Sequence, residues 1–323
     1  MMINDPVLID DWHPVELSQE LKEGGISAAR VLGEDIVLWR LKGQVLAWRD
    51  LCLHRGTRLS LGRVENDNLV CPYHGWAYNG EGQCVHIPAH PDQVPPQKAR
   101  ARSYRVQERY DMVWVSLGDP AHDVPSYPEW DEPHYHKTFC GPYEIQASAP
   151  RVLENFVDVA HFPFVHDGLL GDQRYPQMED YEVEVGSNGV IAKDVRIWQP
   201  RPDGSDPEHP SSYTFHIQRP LTVYVVKPTA ETRFAFFFTV TPVEKLVSRG
   251  WLWLSTDTEY DVPEDEIRAF QDELFDQDIP VVESQRPEML PLDLQAELHL
   301  RSDRTAIAYR RWLNDLGLTF GTA

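Results

Sequence analysis

Apolar and polar positions along the chain fall into two rhythms. The first third alternates in short bursts. The stretch AARVLGEDIVLWRLKGQVLAWRD (28–50) reads as β-strands split by turn residues at Gly33-Glu34-Asp35 and Lys42-Gly43. YRVQERYDMVWVSLG (104–118) reads as a closing hairpin turning near Arg109-Tyr110-Asp111. After about residue 180 the alternation returns in longer runs. YEVEVGSNGVIAKDVRIW (181–198) predicts a hairpin around Ser187-Asn188-Gly189. SYTFHIQRPLTVYVV, TRFAFFFTVTPV and RGWLWLSTDT predict long strands of one antiparallel sheet. Phe234, Phe236, Phe237, Phe238, Trp251 and Trp253 supply apolar bulk for its core, and a curved sheet would turn some of it into a cavity lining.

Helical period appears in three places. RVLENFVDVAHFPFVHDG (151–168) carries Asn155, Asp158 and His161 at i, i+3, i+6, one stripe of a helix. His166 lies five residues past His161, about 140° away on a straight helix. Pro163 breaks the helix between them by pushing Phe162 out of α geometry, which lets His166 swing back. A second helix starts near Pro263, with Glu264, Asp265 and Glu266 in its first turn favoured by the helix dipole. Its apolar face is Ile267, Phe270 and Leu274; four residues on stands Asp278, then Val281 and Val282. TAIAYRRWLNDLG (305–317) predicts a tail helix used for packing or for a subunit contact.

Composition bounds this picture. With 323 residues, 41% of them hydrophobic, the chain can bury two cores. Two Pro-rich stretches, Ile87–Gln97 and Gly118–Thr138, interrupt the patterns, and the second marks a boundary. The expected division is 1–120, a Pro-rich connection at 121–140, and 141–323. A net charge of −21 argues against nucleic acid, which needs clustered Lys and Arg, and is mildly favourable for a cationic substrate. No apolar run approaches a membrane span, and the N-terminus lacks a secretory pattern. Four cysteines do not make a disulfide scaffold, so a cytoplasmic protein is expected.

Chemistry concentrates at two places. Cys52-Leu53-His54-Arg55-Gly56 and Cys71-Pro72-Tyr73-His74-Gly75-Trp76 each offer a thiolate and an imidazole, sixteen residues apart from His54 to Cys71. The set fits a structural zinc ion. It also fits a [2Fe–2S] cluster held by two Cys and two His, which the mixing of Cys and His in each loop favours. Gly56 and Gly75 give the backbone room beside such a group. Cys84 and Cys140 read as small buried residues. In the second half, Asp278 is a carboxylate on an inward stripe, which must be paired or bind metal. With His161 and His166 it makes a two-His, one-carboxylate set suited to Fe(II) with open positions for O2.

C-x-H-R-G followed by C-P-Y-H-G-W resembles the Rieske domain of Rieske non-haem iron oxygenases. N-x-x-D-x-x-H-x-x-x-x-H at Asn155, Asp158, His161 and His166, and D-x-x-x-x-E-x-Q at Asp278, Glu283 and Gln285, match the family's catalytic half in the same order. The resemblance implies an α+β chain: an all-β Rieske domain, then a helix-grip catalytic domain. It implies Cys52 and Cys71 on one cluster iron, His54 and His74 on the other, and His161, His166 and Asp278 on a mononuclear iron. Asp158 would bridge electron transfer between subunits of a head-to-tail homotrimer, with Asn155 supporting the iron site. No G-x-G-x-x-G or flavin fingerprint occurs. NAD(P)H would therefore act through a separate reductase, with or without a ferredoxin. Arg55, Arg58 and Arg63 offer a docking patch for it, or simply a solvated loop.

The size and the late Asp278 look like the monooxygenase branch of vanillate, dicamba and caffeine demethylases. IPAHPDQVPP, YPEWDEPHYHKT, DVAHFPFVHDGLLGD and SDRTAIAYRRWLNDLG are similar to the cyanobacterial hydroxylases of saxitoxin-type alkaloids. The expected function is thus monohydroxylation of a C–H bond on a polycyclic guanidinium alkaloid. The alternatives are oxidative O- or N-demethylation of a small aromatic or heterocyclic substrate, and, from another class, a non-catalytic Rieske redox protein.

Overall fold

A computed structural model describes residues 5–200, 210–228, 233–257 and 262–323. The chain forms two compact units, Met1–Val124 and Pro125–Ala323. The fold is α+β, with helices almost confined to the second unit. Among the described residues no helix is long and apolar enough to cross a membrane.

The first unit is built from small antiparallel sheets. One pairs His13–Leu17 with Met112–Ser116 and Arg105–Arg109; another runs Ile26–Val31, Glu34–Leu41, Gln44–Arg49; a third has four short strands between Arg63 and His86. Hairpins turn at Leu32-Gly33, Lys42-Gly43, Asn66-Asp67 and Tyr110-Asp111, and both residues of every pair have positive φ. That is the turn whose twist matches the flanking strands. The first of these corrects the expected Gly33-Glu34-Asp35 turn: Glu34 and Asp35 already pair with Val31 and Arg30. Leu32 takes the left-handed position because the strand register demands a two-residue connection.

In the second unit seven antiparallel strands follow the order Tyr135–Ile145, Val247–Asp257, Arg233–Glu244, Thr222–Pro228, Ser211–Arg219, Gly189–Ile197, Glu182–Gly186. The run 212–226, expected as one long strand, is a hairpin that reverses at Pro220-Leu221. Proline cannot donate to a ladder, so it falls at the turn. Gly189 has φ +109°, and a Cβ there would meet the Ile217 carbonyl oxygen at 1.9 Å, so the outer hairpin needs glycine. The 121–140 connection is divided: from Pro125 onward it belongs to the second unit. The Tyr127 hydroxyl bonds Ser255, and Glu129 accepts from the Tyr224 hydroxyl at 2.6 Å.

Among the described residues four α-helices accompany the sheet: Ala149–Val157, Phe162–Val165, Glu264–Ser284 and Arg304–Leu316. The 21-residue helix lies against the first sheet strand, where Phe275 stacks on Tyr143 at 3.8 Å. Phe275 also meets Phe238, which stacks on Phe156 at 4.1 Å. This aromatic column ties the long helix to Ala149–Val157. The tail helix buries Tyr309 and Leu313 completely, and Gly317 at φ +78° closes it with Leu318 N–H on the Leu313 carbonyl.

Candidate metal centres and substrate cavity

The two Cys/His loops of the first unit are closed in the same way. In each, the cysteine carbonyl accepts from the glycine four residues on: Gly56 at 2.9 Å to Cys52, Gly75 at 3.1 Å to Cys71. In each, the cysteine N–H returns to the residue five on, Thr57 or Trp76. Gly56 and Gly75 have φ of +74° and +69°, a conformation that strains any side chain. The loops therefore present equivalent geometry. Cys52 and Cys71 are buried among Trp48, Leu69 and Tyr78, while His54 is half-buried and His74 exposed. The imidazoles face each other, Nδ1 to Nδ1, at 3.2 Å. Trp76 stacks on His54 with rings 4.8 Å apart. The Tyr78 hydroxyl lies 3.3 Å from Cys52 Sγ. Burial pushes the Cys71 thiol up, as does the neighbouring Cys52, so a cation beside Cys71 would favour its thiolate.

A single zinc ion would draw its ligand atoms within about 4 Å of one another. Among the described residues only His161, His166 and Asp278 form a group with ligand atoms within 4.8 Å, and the two loops do not. The loops fit a larger group with sulfur buried on one side and nitrogen toward solvent on the other. Of the nearby arginines, Arg58 is paired with Asp35 at 3.0 Å and Arg63 with Glu65 at 2.8 Å.

In the second unit the local course of 151–168 differs from the expected stripe. The helix ends at Val157, and Asp158 is its extended C-cap, φ −87° and ψ 126°. Asp158 Oδ1 then accepts the Ala160 N–H at 2.8 Å, turning the chain. The break thus falls three residues before His161, not at Phe162. Pro163 sits in the first turn of a new helix, Phe162–Val165, with His161 as its N-cap. Its missing N–H is no loss there. His161 and His166 bracket that single turn, which brings their Nε2 atoms to 3.3 Å.

The long helix delivers the third group. Asp278 Oδ1 stands 3.4 Å from His161 Nε2 and 3.3 Å from His166 Nε2. The three atoms make a nearly equilateral triangle. Asn155 Nδ2 reaches the same Oδ1 at 3.5 Å. Val282 continues the buried face as expected, but Val281 is turned to solvent.

His166 Nδ1 is 2.7 Å from the Gln277 amide oxygen, which accepts only, so Nδ1 carries the proton. A neutral His166 then directs a bare nitrogen at a carboxylate and at a second imidazole. Burial opposes an imidazolium here, yet Asp278 outweighs it and holds the His166 pKa above its usual value. Positive charge at the centre of the triangle is what all three atoms favour, and a divalent cation supplies it without a proton. His161 Nδ1, on the other side of its ring, is buried without a hydrogen bond and lies 3.5 Å from Asp158 Oδ2.

A cavity of about 500 Å³ opens on this triangle. Its walls are largely aromatic and aliphatic, from the sheet strands and the inner face of the long helix: Tyr213, Phe215, Phe234, Phe236, Phe270 and Leu274 among them. Lys227 and Glu266 also line it. Two contributors escaped the sequence patterns. Gln277 precedes Asp278 in a run of polar residues and has no distinguishing spacing. Lys227 lies one residue past the expected run 212–226; the strand continues to Pro228, and extending its alternation from Val223 and Val225 would have found it.

Comparisons with known proteins converge on one family. Residues 11–110 match the Rieske [2Fe-2S] domain, and residues 145–318 match the Vanillate O-demethylase oxygenase C-terminal domain. The methylxanthine N1-demethylase NdmA of Pseudomonas putida is 32% identical over 94% of this chain and 88% of its own. The structure of NdmA from Pseudomonas putida CBB5 with caffeine superposes with a TM-score of 0.83 at 29% identity, covering 95% of this chain and 90% of that one. Dicamba monooxygenase bound to dicamba gives 0.80 at 25% identity, covering 96% and 97%. A β-rich unit with two Cys/His loops and a sheet-and-helix unit with a two-His, one-carboxylate triangle, together with these matches, make this chain a member of the Rieske non-haem iron oxygenases, oxidoreductases that act on small molecules with a [2Fe–2S] cluster, mononuclear iron and O2.

Proposed function

We propose that the chain is the oxygenase component of an oxidative demethylase for a small N- or O-methylated aromatic heterocycle. The observation that carries this is the likeness to a methylxanthine N1-demethylase over 94% of the chain. The aromatic lining of the cavity agrees with a flat substrate. The hydroxylation of a guanidinium alkaloid has weaker support, because the relatives that match along most of the chain are demethylases.

In this proposal Cys52 and Cys71 hold one cluster iron and His54 and His74 the other. His161, His166 and Asp278 hold the mononuclear iron, with Asn155 bracing the carboxylate and Gln277 fixing the His166 tautomer. When bound, the metals supply O2 activation and electron storage. The protein's part is to leave one face of the triangle open to the cavity and to keep the methyl group there, away from bulk water. One C–H bond of the methyl becomes C–OH, with O2, two electrons and two protons yielding that hydroxyl and one water. The hydroxymethyl adduct then releases formaldehyde and leaves N–H or O–H on the ring. The electrons come from NAD(P)H through a separate reductase. Asp158, near His161 Nδ1, bridges to the cluster of the neighbouring subunit in a homotrimer. Four free cysteines suit a cytoplasmic setting.

A single turnover tests the proposal. Chemically reduced protein meets O2 and a panel of N-methylated heterocycles, methoxyarenes and guanidinium alkaloids. Formaldehyde with a demethylated ring is the expected product. An alkaloid that gains one oxygen with no formaldehyde would move the chain to the hydroxylases. No product with both metals present would return it to the redox carriers.

A further inference from the structure

Two carboxamides at the metal-ligand triangle are engaged: Asn155 reaches Asp278, and Gln277 holds His166. A further one, Gln271, lines the cavity from the long helix and has no such role. Gln271 is 8% exposed, so its amide is withdrawn from bulk water. Yet its side chain makes no hydrogen bond to any described residue. A buried amide without partners costs free energy, and folded proteins satisfy nearly all such groups. Ile267, Gln271, Leu274 and Asp278 follow one another at four, three and four residues, which puts them on one stripe of the helix. Ile267 and Leu274 are apolar and offer the amide nothing. Gln271 stands seven residues before Asp278, about 10 Å along the helix at 1.5 Å per residue. The open amide and the metal ligands are thus set apart by about the length of a bicyclic ring carrying a methoxy group.

We infer that Gln271 is a specificity-determining residue that reads a lactam edge, an N–H beside a carbonyl, on the part of a flat substrate remote from the reacting methyl group. This rests on the demethylase reading for the identity of that methyl group, and on the cavity alone for the edge. A carboxamide carries an acceptor oxygen and N–H donors in one plane. A lactam presents the complementary pair at the same spacing, so the two planes can join by two parallel hydrogen bonds. A carboxylate would answer only the amide's donors, a guanidinium only its oxygen, and a hydrocarbon edge neither. The aromatic walls at Phe234, Phe236 and Phe270 suit the faces of such a ring. Discrimination then comes chiefly from rejection. A ligand of the same outline without the N–H leaves the Gln271 oxygen buried and unmet, facing a lone pair instead of a donor.

The test uses the iron- and cluster-loaded protein with two probes of one shape, 7-methoxy-2-quinolone and 7-methoxycoumarin, and reads binding by calorimetry. The coumarin keeps the carbonyl and has a ring oxygen where the quinolone has its N–H. The quinolone should bind tighter by about tenfold or more. Gln271→Leu, which removes the amide, should bring that ratio close to one. Iron content and the visible cluster spectrum report whether the variant folded, and Gln271→Met takes its place if either is lost. A coumarin bound as tightly as the quinolone, an unchanged ratio in the folded apolar variant, or no binding of the quinolone at millimolar concentration would overturn the inference. Formaldehyde release from the methoxy probes is scored separately. Its absence with the binding ratio intact would defeat the demethylase reading and leave the Gln271 assignment standing.

Discussion

Gln277 and Asp278 are adjacent on one helix and stand differently at the triangle of His161, His166 and Asp278. Asp278 contributes an oxygen, so Asp278→Ala should lose the mononuclear iron while the visible spectrum of the cluster stays; metal analysis together with absorbance checks both. Gln277 contributes only an acceptor to His166 Nδ1 at 2.7 Å. Gln277→Leu removes it, and iron affinity measured by chelator competition should fall by about 10–100-fold. Gln277→Glu restores an acceptor and should keep the affinity near its original value. Equal losses in both variants would assign Gln277 a packing role instead. At this scale the three residues that the structure brings together, His161, His166 and Asp278, were legible in the sequence, because two imidazoles and a carboxylate on helical patterns are uncommon together. The hydrogen bond that sets the tautomer was not, since it depends on a side-chain contact 111 residues apart.

Between elements, stacked rings and an ion pair make two testable links. Phe275 joins Tyr143 and Phe238, and through Phe238 it holds the long helix against Ala149–Val157. Phe275→Ala should cost about 3–5 kcal/mol in denaturant unfolding. It should also weaken iron binding, because Asn155 and Asp278 lie on the two helices so joined. In the first unit, Arg40 on Glu34–Leu41 makes a two-pronged bond to Glu108 on Arg105–Arg109, at 2.7 and 3.0 Å. That bond holds the Glu108 carboxyl below the usual range. Because the folded pKa is the lower one, the stabilisation is full above the unfolded value of about 4.3. It is lost as pH falls through the folded value. Urea midpoints at pH 6 and pH 3 should therefore drop less in Arg40→Met than in the parent. The helix break was the element most misplaced by pattern alone. A proline reads as a breaker, yet Pro163 starts a turn, and the chain reverses earlier through the Asp158 side chain.

For the whole molecule, the chemistry needs a cluster and an iron that exchange electrons. If Asp158 bridges neighbouring subunits, Cys71→Ser and Asp278→Ala should each be inactive alone and regain turnover when their subunits are mixed and reassembled. Transfer within one chain predicts no recovery. Asp158→Asn should retain both metals and slow reoxidation of the reduced cluster in stopped-flow traces with substrate and O2.

The sequence by itself determined the residue types and their order: two thiolate–imidazole loops in a β-rich first half, then two histidines, then a carboxylate on an inward helical stripe. These are local properties, written in period, turn residues and spacing. Tertiary structure decided the rest, because the remaining facts are distances between residues far apart in the chain. The single turn between His161 and His166 closes their nitrogens to 3.3 Å, and the aromatic column brings Asp278 to the same point from across 112 residues. The packing of one sheet against one helix encloses the chamber and places a strand lysine in its wall. Alternation fixes which side of a strand a residue occupies, and only packing fixes what stands opposite it.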